Sequence, residues 1–292
     1  MARFPKTRAG SRRYGQHFLI DRAVLEREAE YADLGKTDSV LEIGAGDGRL
    51  TEVLAARAGK VYAVEHGSFR PELAELQRRF PNVEVRFGDA LKESFPKVEK
   101  VVSNLPFRIS VPLILKLLDS EFETAVLLCQ KRLARRLCAG PGERGYCWLS
   151  VFVRRVAEPR YLETVKRQAF RPVPKVDSAL VKLEKTEPKF EAPENFREVL
   201  DYLFFVRGWT LQRAVRSLRF FGNPERDLRE CLEILRSYRT QRIYRLRPEG
   251  FGKAAAAFRD LGIRVPEIPE EAKRKAKKFE NPLKALKRFR FI

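Results

Sequence analysis

The sequence predicts an α/β fold, a seven-stranded and mostly parallel sheet, joined to a smaller C-terminal α-helical domain. Three observations carry this prediction. Short apolar runs alternate with longer amphipathic segments from about residue 20 to 185. One early run ends in a glycine-rich turn that leads straight into a helical pattern. Beyond a polar, proline-containing stretch at 184–195 the hydrophobic period becomes helical to the end of the patterned region.

In chain order, residues 39–43, 61–64, 83–87, 101–103, 125–129, 149–153 and 179–183 are the apolar runs that read as strands. Between them, 50–57, 71–80, 111–118 and 131–137 read as helices, several opened by a turn residue or by proline at the first helical position. Right-handed crossovers in such units gather ligands at the carboxyl ends of the strands, so functional residues are expected just after each strand. The stretch EKTEPKFEAPEN reads as a boundary, which divides the chain into domains at 1–186 and 187–292. In the second domain, helices are predicted over 196–205, 211–218, 225–237 and 250–261, with loops at Gly222-Asn223-Pro224 and Arg247-Pro248. There is no internal repeat.

The 292 residues carry 59 lysines and arginines against 39 acids, a net charge of +20, and such an imbalance favours a polyanionic partner. The charge is uneven. Residues 1–14 hold five cations and no acid, and residues 273–292 hold nine cations against the single acid Glu280. Such arms would neutralise phosphates without choosing a sequence, although charge runs also serve plain solubility. No run of about 18 apolar residues is present to cross a membrane, and the basic N-terminus lacks the apolar stretch of a signal peptide, so a cytoplasmic protein is expected. Cys129, Cys138, Cys147 and Cys231 form no CxxC pair and have no histidine at ligand spacing, so no metal is expected. A Cys138–Cys147 bridge across the glycine-containing loop stays open.

Leu41-Glu42-Ile43-Gly44-Ala45-Gly46-Asp47-Gly48 ends a strand in a turn where backbone can approach a ligand closely. The spacing is GxGxG, not the GxGxxG of dinucleotide folds, and no GK[ST] follows, which argues against both a nicotinamide cofactor and a P-loop. About twenty residues on, the next strand ends in Glu65, placed to accept from both hydroxyls of a ribose. The third strand runs into Gly88-Asp89-Ala90, where Asp89 could accept from an exocyclic amine while the amide of Ala90 donates to a ring nitrogen. A solitary aspartate there is also a common helix cap.

The fourth strand ends in Asn104-Leu105-Pro106-Phe107, an [ND]-x-P-[YF] pattern with a specific use. The exocyclic amine of adenine is a poor nucleophile, because its lone pair is delocalised into the ring. Accepting both N–H bonds, one on the Asn104 side-chain oxygen and one on the Pro106 carbonyl, would localise that pair and aim it at a methyl donor. Phe107 would stack on the flipped base. A plain strand-to-helix turn with a buried aromatic is the competing interpretation of the same four residues.

Taken together, these residues resemble the KsgA-type small-subunit ribosomal RNA adenine N6-dimethyltransferase family, whose relatives include the Erm methyltransferases and mitochondrial transcription factor B. The resemblance spans roughly residues 12–185. It rests on Tyr14-Gly15-Gln16-His17-Phe18-Leu19, the glycine turn, Glu65, Asp89-Ala90, Asn104-Leu105-Pro106-Phe107, Gln130-Lys131, Leu149-Ser150 and Phe170-Arg171-Pro172-Val173-Pro174-Lys175-Val176-Asp177-Ser178. It implies a Rossmann-like class I methyltransferase domain using S-adenosyl-L-methionine, released as S-adenosyl-L-homocysteine, to dimethylate two adjacent adenosines near the 3′ end of small-subunit rRNA. By position, Gln16, His17 and Leu19 would cover the cofactor, Gly44, Ala45 and Gly46 approach its amino-acid end, Glu65 holds its ribose, and Asp89 with Ala90 reads its adenine. Asn104 would touch cofactor and target, and Phe170 would close on the other face of the target base.

Four departures stand out. Gly67 replaces the aspartate usual two residues after the ribose-binding glutamate, Phe107 replaces tyrosine, Arg132 replaces a common glutamate, and Cys147-Trp148 replaces Gly-Arg before Leu149-Ser150. They suggest a divergent, archaeal-type member. The expected partners are small-subunit rRNA and the immature small ribosomal subunit, with the helical domain at 187–292 and its basic tail expected to bind the RNA substrate, with no membrane, and the expected state is a monomer. The alternative is a catalytically weak or inactive ribosome-assembly and RNA-binding factor on the same fold.

Overall fold

A computed structural model describes residues 17–269. Gln16, the basic N-terminal arm and the basic tail from residue 273 lie outside them. The chain opens with a short strand β1 (Phe18–Leu19) and helix α1 (Arg22–Tyr31), which begins at Asp21, whose side chain accepts from the Ala23 amide at 3.1 Å. Then follow β2 (Ser39–Ile43), α2 (Arg49–Arg57), β3 (Lys60–Glu65), α3 (Arg70–Arg79), β4 (Val83–Phe87), β5 (Lys100–Asn104), α4 (Ser110–Leu118), β6 (Thr124–Gln130) and α5 (Lys131–Cys138). The remainder is α6 (Trp148–Val156), β7 (Ala157–Val165), β8 (Phe170–Arg171), β9 (Ser178–Lys185), α7 (Phe196–Phe205), α8 (Leu211–Ser217), α9 (Glu225–Ile234) and α10 (Pro248–Asp260).

Seven strands form one sheet in the order β4-β3-β2-β5-β6-β9-β7, with β1 and β8 as a separate antiparallel pair. The five strands from β4 to β6 are parallel, and β9 and β7 add antiparallel at one edge. Val40, Leu41 and Ile43 of β2 are buried, as expected of a central strand covered on both faces. The chain runs outward from β2 through β3 to β4, then returns to β5 on the other side of β2. Strand order therefore reverses between β2 and β5, and a crevice opens at the carboxyl ends of the strands there.

Two compact units are present. One comprises described residues 17–138 and 156–187, the other 139–155 and 188–269. The continuous division into 1–186 and 187–292 is corrected by this result, because 139–155 joins the helical unit. The reason lies in that segment's side chains. Tyr146 and Val151 are buried in one core with Phe196, Tyr202 and Phe251, and the Tyr146 hydroxyl donates to the Leu246 carbonyl at 2.9 Å.

The strand expected at 149–153 is instead part of α6. A short apolar run does not by itself separate strand from buried helix, and here a cap decides: the Ser150 hydroxyl accepts from the Cys147 amide at 3.1 Å, closing a helix start. The seventh strand is β7, unpredicted because Pro159 interrupts its run. Proline is tolerated there because β7 is an edge strand, and a bulge between Tyr161 and Glu163 further relaxes its register. None of the four cysteines is in a disulfide, so no Cys138–Cys147 bridge is present. Burial pushes the Cys129 and Cys231 thiols up to about 12. Among the described residues no helix is long and apolar enough to cross a membrane, and no cluster of metal-ligating side chains occurs.

Candidate active site

The crevice is a cleft enclosing about 820 Å³ between its walls, open solvent at its mouth included. Its walls come from the ends of β1, β2, β3 and β5.

At the end of β2 the Gly44 and Ala45 amides both donate to the Val64 carbonyl, at 2.8 and 3.2 Å, which folds the turn back over β3. Gly44 and Gly46 have φ of +81° and +56°, a backbone state costly for residues with a side chain. Space is also short. At Gly46 a Cβ would lie 3.3 Å from the Phe18 ring, whereas one on Gly44 would make only an ordinary contact with the Pro106 ring at 3.4 Å. The glycines thus keep bare backbone on the cleft wall.

Glu65, at the end of β3 and only 4% exposed, accepts from the Gly46 amide through Oε2 at 3.0 Å. Its other oxygen, Oε1, is buried without a hydrogen-bond partner among the described residues. A buried carboxylate oxygen left unsatisfied is costly unless a ligand donates to it. A ribose hydroxyl is such a donor. The bare glycine turn and this orphan acceptor therefore fit a nucleoside-containing cofactor.

Two more acids line the cleft, neither of them singled out by its sequence context. Glu42, in the middle of β2, accepts from the Thr51 hydroxyl at 2.6 Å and is pushed up to about 8 by burial, against that hydrogen bond and with help from the charges of Glu65 and Asp47. Asp47 pairs with Arg49 at 2.9 Å, and its carboxyl is raised by burial, opposed by that arginine. A charged residue inside an otherwise apolar central strand was the available signal for Glu42.

From β5 comes the Asn104-Leu105-Pro106-Phe107 turn, all four residues on the cleft wall. The Ser103 hydroxyl donates to the Ile43 carbonyl at 2.7 Å and the Leu105 amide to the Leu128 carbonyl at 3.0 Å, fixing the turn against β2 and β6. The Pro106 carbonyl accepts from the Ile109 amide at 3.1 Å and the Ser110 hydroxyl at 2.9 Å. Both its lone pairs are engaged, so the acceptor role expected of Pro106 is corrected. The Leu105 carbonyl carries no hydrogen bond among the described residues.

His17, Phe18 and Leu19 enter from β1, and Phe18 is a wall residue that its motif alone did not mark out. His17 Nδ1 donates to the Pro172 carbonyl at 2.7 Å, and its ring lies 5.8 Å from that of Phe107. Phe18 packs edge-on against Phe69, with ring centres 5.4 Å apart.

Phe170 is not on the wall. It pairs with Leu19 in the β1–β8 ladder, and its side chain, 2% exposed, is buried in the core with Leu19, Val165 and Leu180. Its expected place over a target base is corrected: it anchors the strand that brings His17 and Phe18 to the cleft. Asp89 and Ala90 also fall outside the wall. Asp89 Oδ1 accepts from the Leu91 amide at 3.0 Å, closing a turn and not a helix start, and the Ala90 carbonyl accepts from Lys116 Nζ at 2.7 Å. They stay close to it, because the Gly88 amide donates to the Glu65 carbonyl at 3.0 Å.

A mostly parallel sheet with a glycine turn, a ribose-type carboxylate and an Asn-x-Pro-Phe turn meeting at its switch point defines a class I methyltransferase. Solved structures agree. A dimethyladenosine transferase from Plasmodium falciparum superposes with a TM-score of 0.72 at 29% identity, covering 84% of this chain and 98% of that one. The 23S rRNA methyltransferase ErmE superposes with a TM-score of 0.62 at 30% identity, covering 82% and 98%. Residues 8–228 match the ribosomal RNA adenine dimethylase family, and the chain belongs to it. It is similar to a probable ribosomal RNA small subunit methyltransferase A from Thermococcus gammatolerans, 40% identical over 89% of this chain and 93% of the relative. A protein of the same description from Methanothermobacter thermautotrophicus is also 40% identical, over 86% and 91%.

Proposed function

We propose that this protein transfers methyl groups from S-adenosylmethionine to N6 of two adjacent adenosines near the 3′ end of small-subunit rRNA, acting in the cytoplasm on maturing small subunits. The observation that carries the reading is the convergence of the Asn104-Leu105-Pro106-Phe107 turn, the bare glycine turn and Glu65 on one cleft. Small-subunit rRNA is favoured over large because the archaeal relatives named for the small subunit are about 40% identical, against 30% for ErmE.

Glu65 Oε1 would accept from the ribose of the donor, and the backbone of Gly44 to Gly46 would approach its amino-acid end. When bound, S-adenosylmethionine supplies a methyl group activated by its positively charged sulfur. The chain's part is to aim the amine. The Asn104 side-chain oxygen and the Leu105 carbonyl accept its two hydrogens, so that the nitrogen pyramidalises, its lone pair leaves the ring's π system and it points into the cleft. Phe107, half-buried beside His17, offers a face on which the flipped base stacks. Methylation makes the amine acidic, so its proton leaves without a strong general base.

The test is a transfer assay with purified protein, methyl-labelled S-adenosylmethionine and immature small subunits, followed by mass spectrometry of the rRNA. Dimethyladenosine at two neighbouring positions is the expected result. Subunit binding without any methyl incorporation would overturn the reading and leave an assembly factor in its place.

A further inference from the structure

Three carboxyl groups line the cleft, and two of them have partners suited to a charge. Asp47 faces Arg49 at 2.9 Å, and Glu65 accepts from the Gly46 amide at 3.0 Å. Glu42 differs. It is 2% exposed, its Oε2 accepts from the Thr51 hydroxyl at 2.6 Å, and among the described residues no lysine, arginine or histidine pairs with it. It also interrupts an apolar strand, between the buried Leu41 and Ile43. For stability alone a well-packed apolar residue would serve better there. A buried carboxyl without a cation keeps its proton until a cation arrives.

The groups around Glu42 come from each element packed against β2. From α1, Glu28 is 1% exposed and feels the charge of Glu42, while the adjacent Arg27 pairs with Glu163 of β7 at 2.8 Å. From α2 come Thr51 and Arg49, the latter paired with Asp47. Glu65 ends β3, the uncharged Asn104 ends β5, and His17 and Arg108 also stand on the cleft wall. Burial holds the Glu42 carboxyl up at about 8, against the Thr51 bond and with the charges of Glu65 and Asp47. Ionised Glu42 would push the buried Glu28 carboxyl still higher. Of these two acids only Glu42 lines the cleft, so it is the one placed to lose its proton to a ligand.

The cofactor supplies a fitting cation. S-adenosylmethionine and S-adenosylhomocysteine both end in an amino acid with a positive ammonium group. The glycine turn that would approach this end begins at Gly44, two residues beyond Glu42.

We propose that Glu42 is the counter-ion of the cofactor's ammonium group and gives up its proton to bulk water when the cofactor binds. The carboxyl O–H bond breaks, its electron pair stays on the carboxylate, and the proton leaves through the open mouth of the cleft. The inference deepens the proposed reading that S-adenosylmethionine is the methyl donor, and rests on it.

The experiment uses the full chain and two ligands that share an adenosine. S-adenosylhomocysteine has the amino-acid tail, and 5′-methylthioadenosine lacks it. Titration calorimetry in buffers of different ionisation enthalpy counts the protons exchanged on binding. A carboxyl that titrates near 8 is about 0.9 protonated at pH 7, so S-adenosylhomocysteine should release about 0.9 proton and 5′-methylthioadenosine none. From about pH 6 to 7.5 the affinity for S-adenosylhomocysteine should rise roughly tenfold per pH unit, and that for 5′-methylthioadenosine should stay flat. Glu42→Gln can keep the Thr51 bond and resembles the protonated acid, so it should melt like wild type at pH 7. It should release no proton and bind S-adenosylhomocysteine at least about tenfold more weakly, with 5′-methylthioadenosine unchanged. Glu65→Gln removes a ribose contact common to both ligands, so it should weaken both and still release the proton.

Tight S-adenosylhomocysteine binding without proton release, or with the same release from Glu42→Gln, would overturn the role of Glu42 and leave the methyltransferase reading standing. A wild-type chain that binds neither ligand would overturn the cofactor reading, and this inference with it.

Discussion

Glu65→Gln tests the cofactor assignment through one atom. In the wild type Oε2 is fixed by the Gly46 amide at 3.0 Å, and Oε1 is the buried orphan that a ribose hydroxyl would satisfy. Glutamine keeps the shape and can keep the Gly46 bond by turning its oxygen toward it, which leaves an NH₂ where the acceptor stood. What is lost is a charge-assisted hydrogen bond, worth about 1.5–3 kcal/mol. At 1.36 kcal/mol per tenfold this corresponds to a cofactor affinity weaker by roughly 10- to 150-fold. Titration calorimetry with S-adenosylhomocysteine reads it directly. The unliganded protein should meanwhile melt no lower than wild type, because the substitution removes a buried, half-satisfied charge. An affinity within twofold of wild type would refute the assignment, whatever the melting temperature does.

Three further outcomes are expected. Asn104→Ala should lower turnover by at least ~100-fold, the scale of removing one aligned transition-state hydrogen bond, while subunit affinity stays within a few-fold; normal turnover would remove Asn104 from the mechanism. Gly46→Ala should lower stability by ~1–2 kcal/mol through its left-handed backbone and further through the Phe18 ring 3.3 Å away, read by denaturant melts. The third concerns pH. Burial raises the Glu42 carboxyl in the folded chain to about 8 from an ordinary 4.5, so between those values the folded state keeps a proton the unfolded state has lost. Stability should fall as pH rises through that window, and Glu42→Gln should flatten the fall; buried Glu28, shifted the same way, keeps the rest. A wild-type slope of the opposite sign would contradict this account.

Much of the sheet was legible in the residues because parallel central strands are apolar on both faces, as Val40, Leu41 and Ile43 show. The run at 149–153 was not, because a five-residue apolar window carries no period, and the Ser150 side-chain cap that settles it is a three-dimensional bond. Pro159 hid β7, since whether a proline ends a strand or rides its edge depends on where that strand lies in the sheet. At the cleft, Gly44, Glu65 and Asn104 could be placed from strand-end spacing alone. Which carbonyl beside Asn104 stands free could not, because the Ser110 hydroxyl that engages Pro106 reaches back from the next helix. Phe170 belonged to a recognisable motif, yet a motif does not say whether its aromatic faces a ligand or the core.

The helical unit is built from two stretches of chain, 139–155 and 188 onward. During synthesis the first stretch leaves the ribosome with its Tyr146 lacking the rings of Phe204 and Phe251 that will later surround it, so this core cannot close until α10 has emerged. A fragment cut to begin at residue 188 would carry a hole the size of a tyrosine at its centre. Any attempt to study the helical part in isolation therefore has to graft 139–155 back onto it, or work with the intact polypeptide.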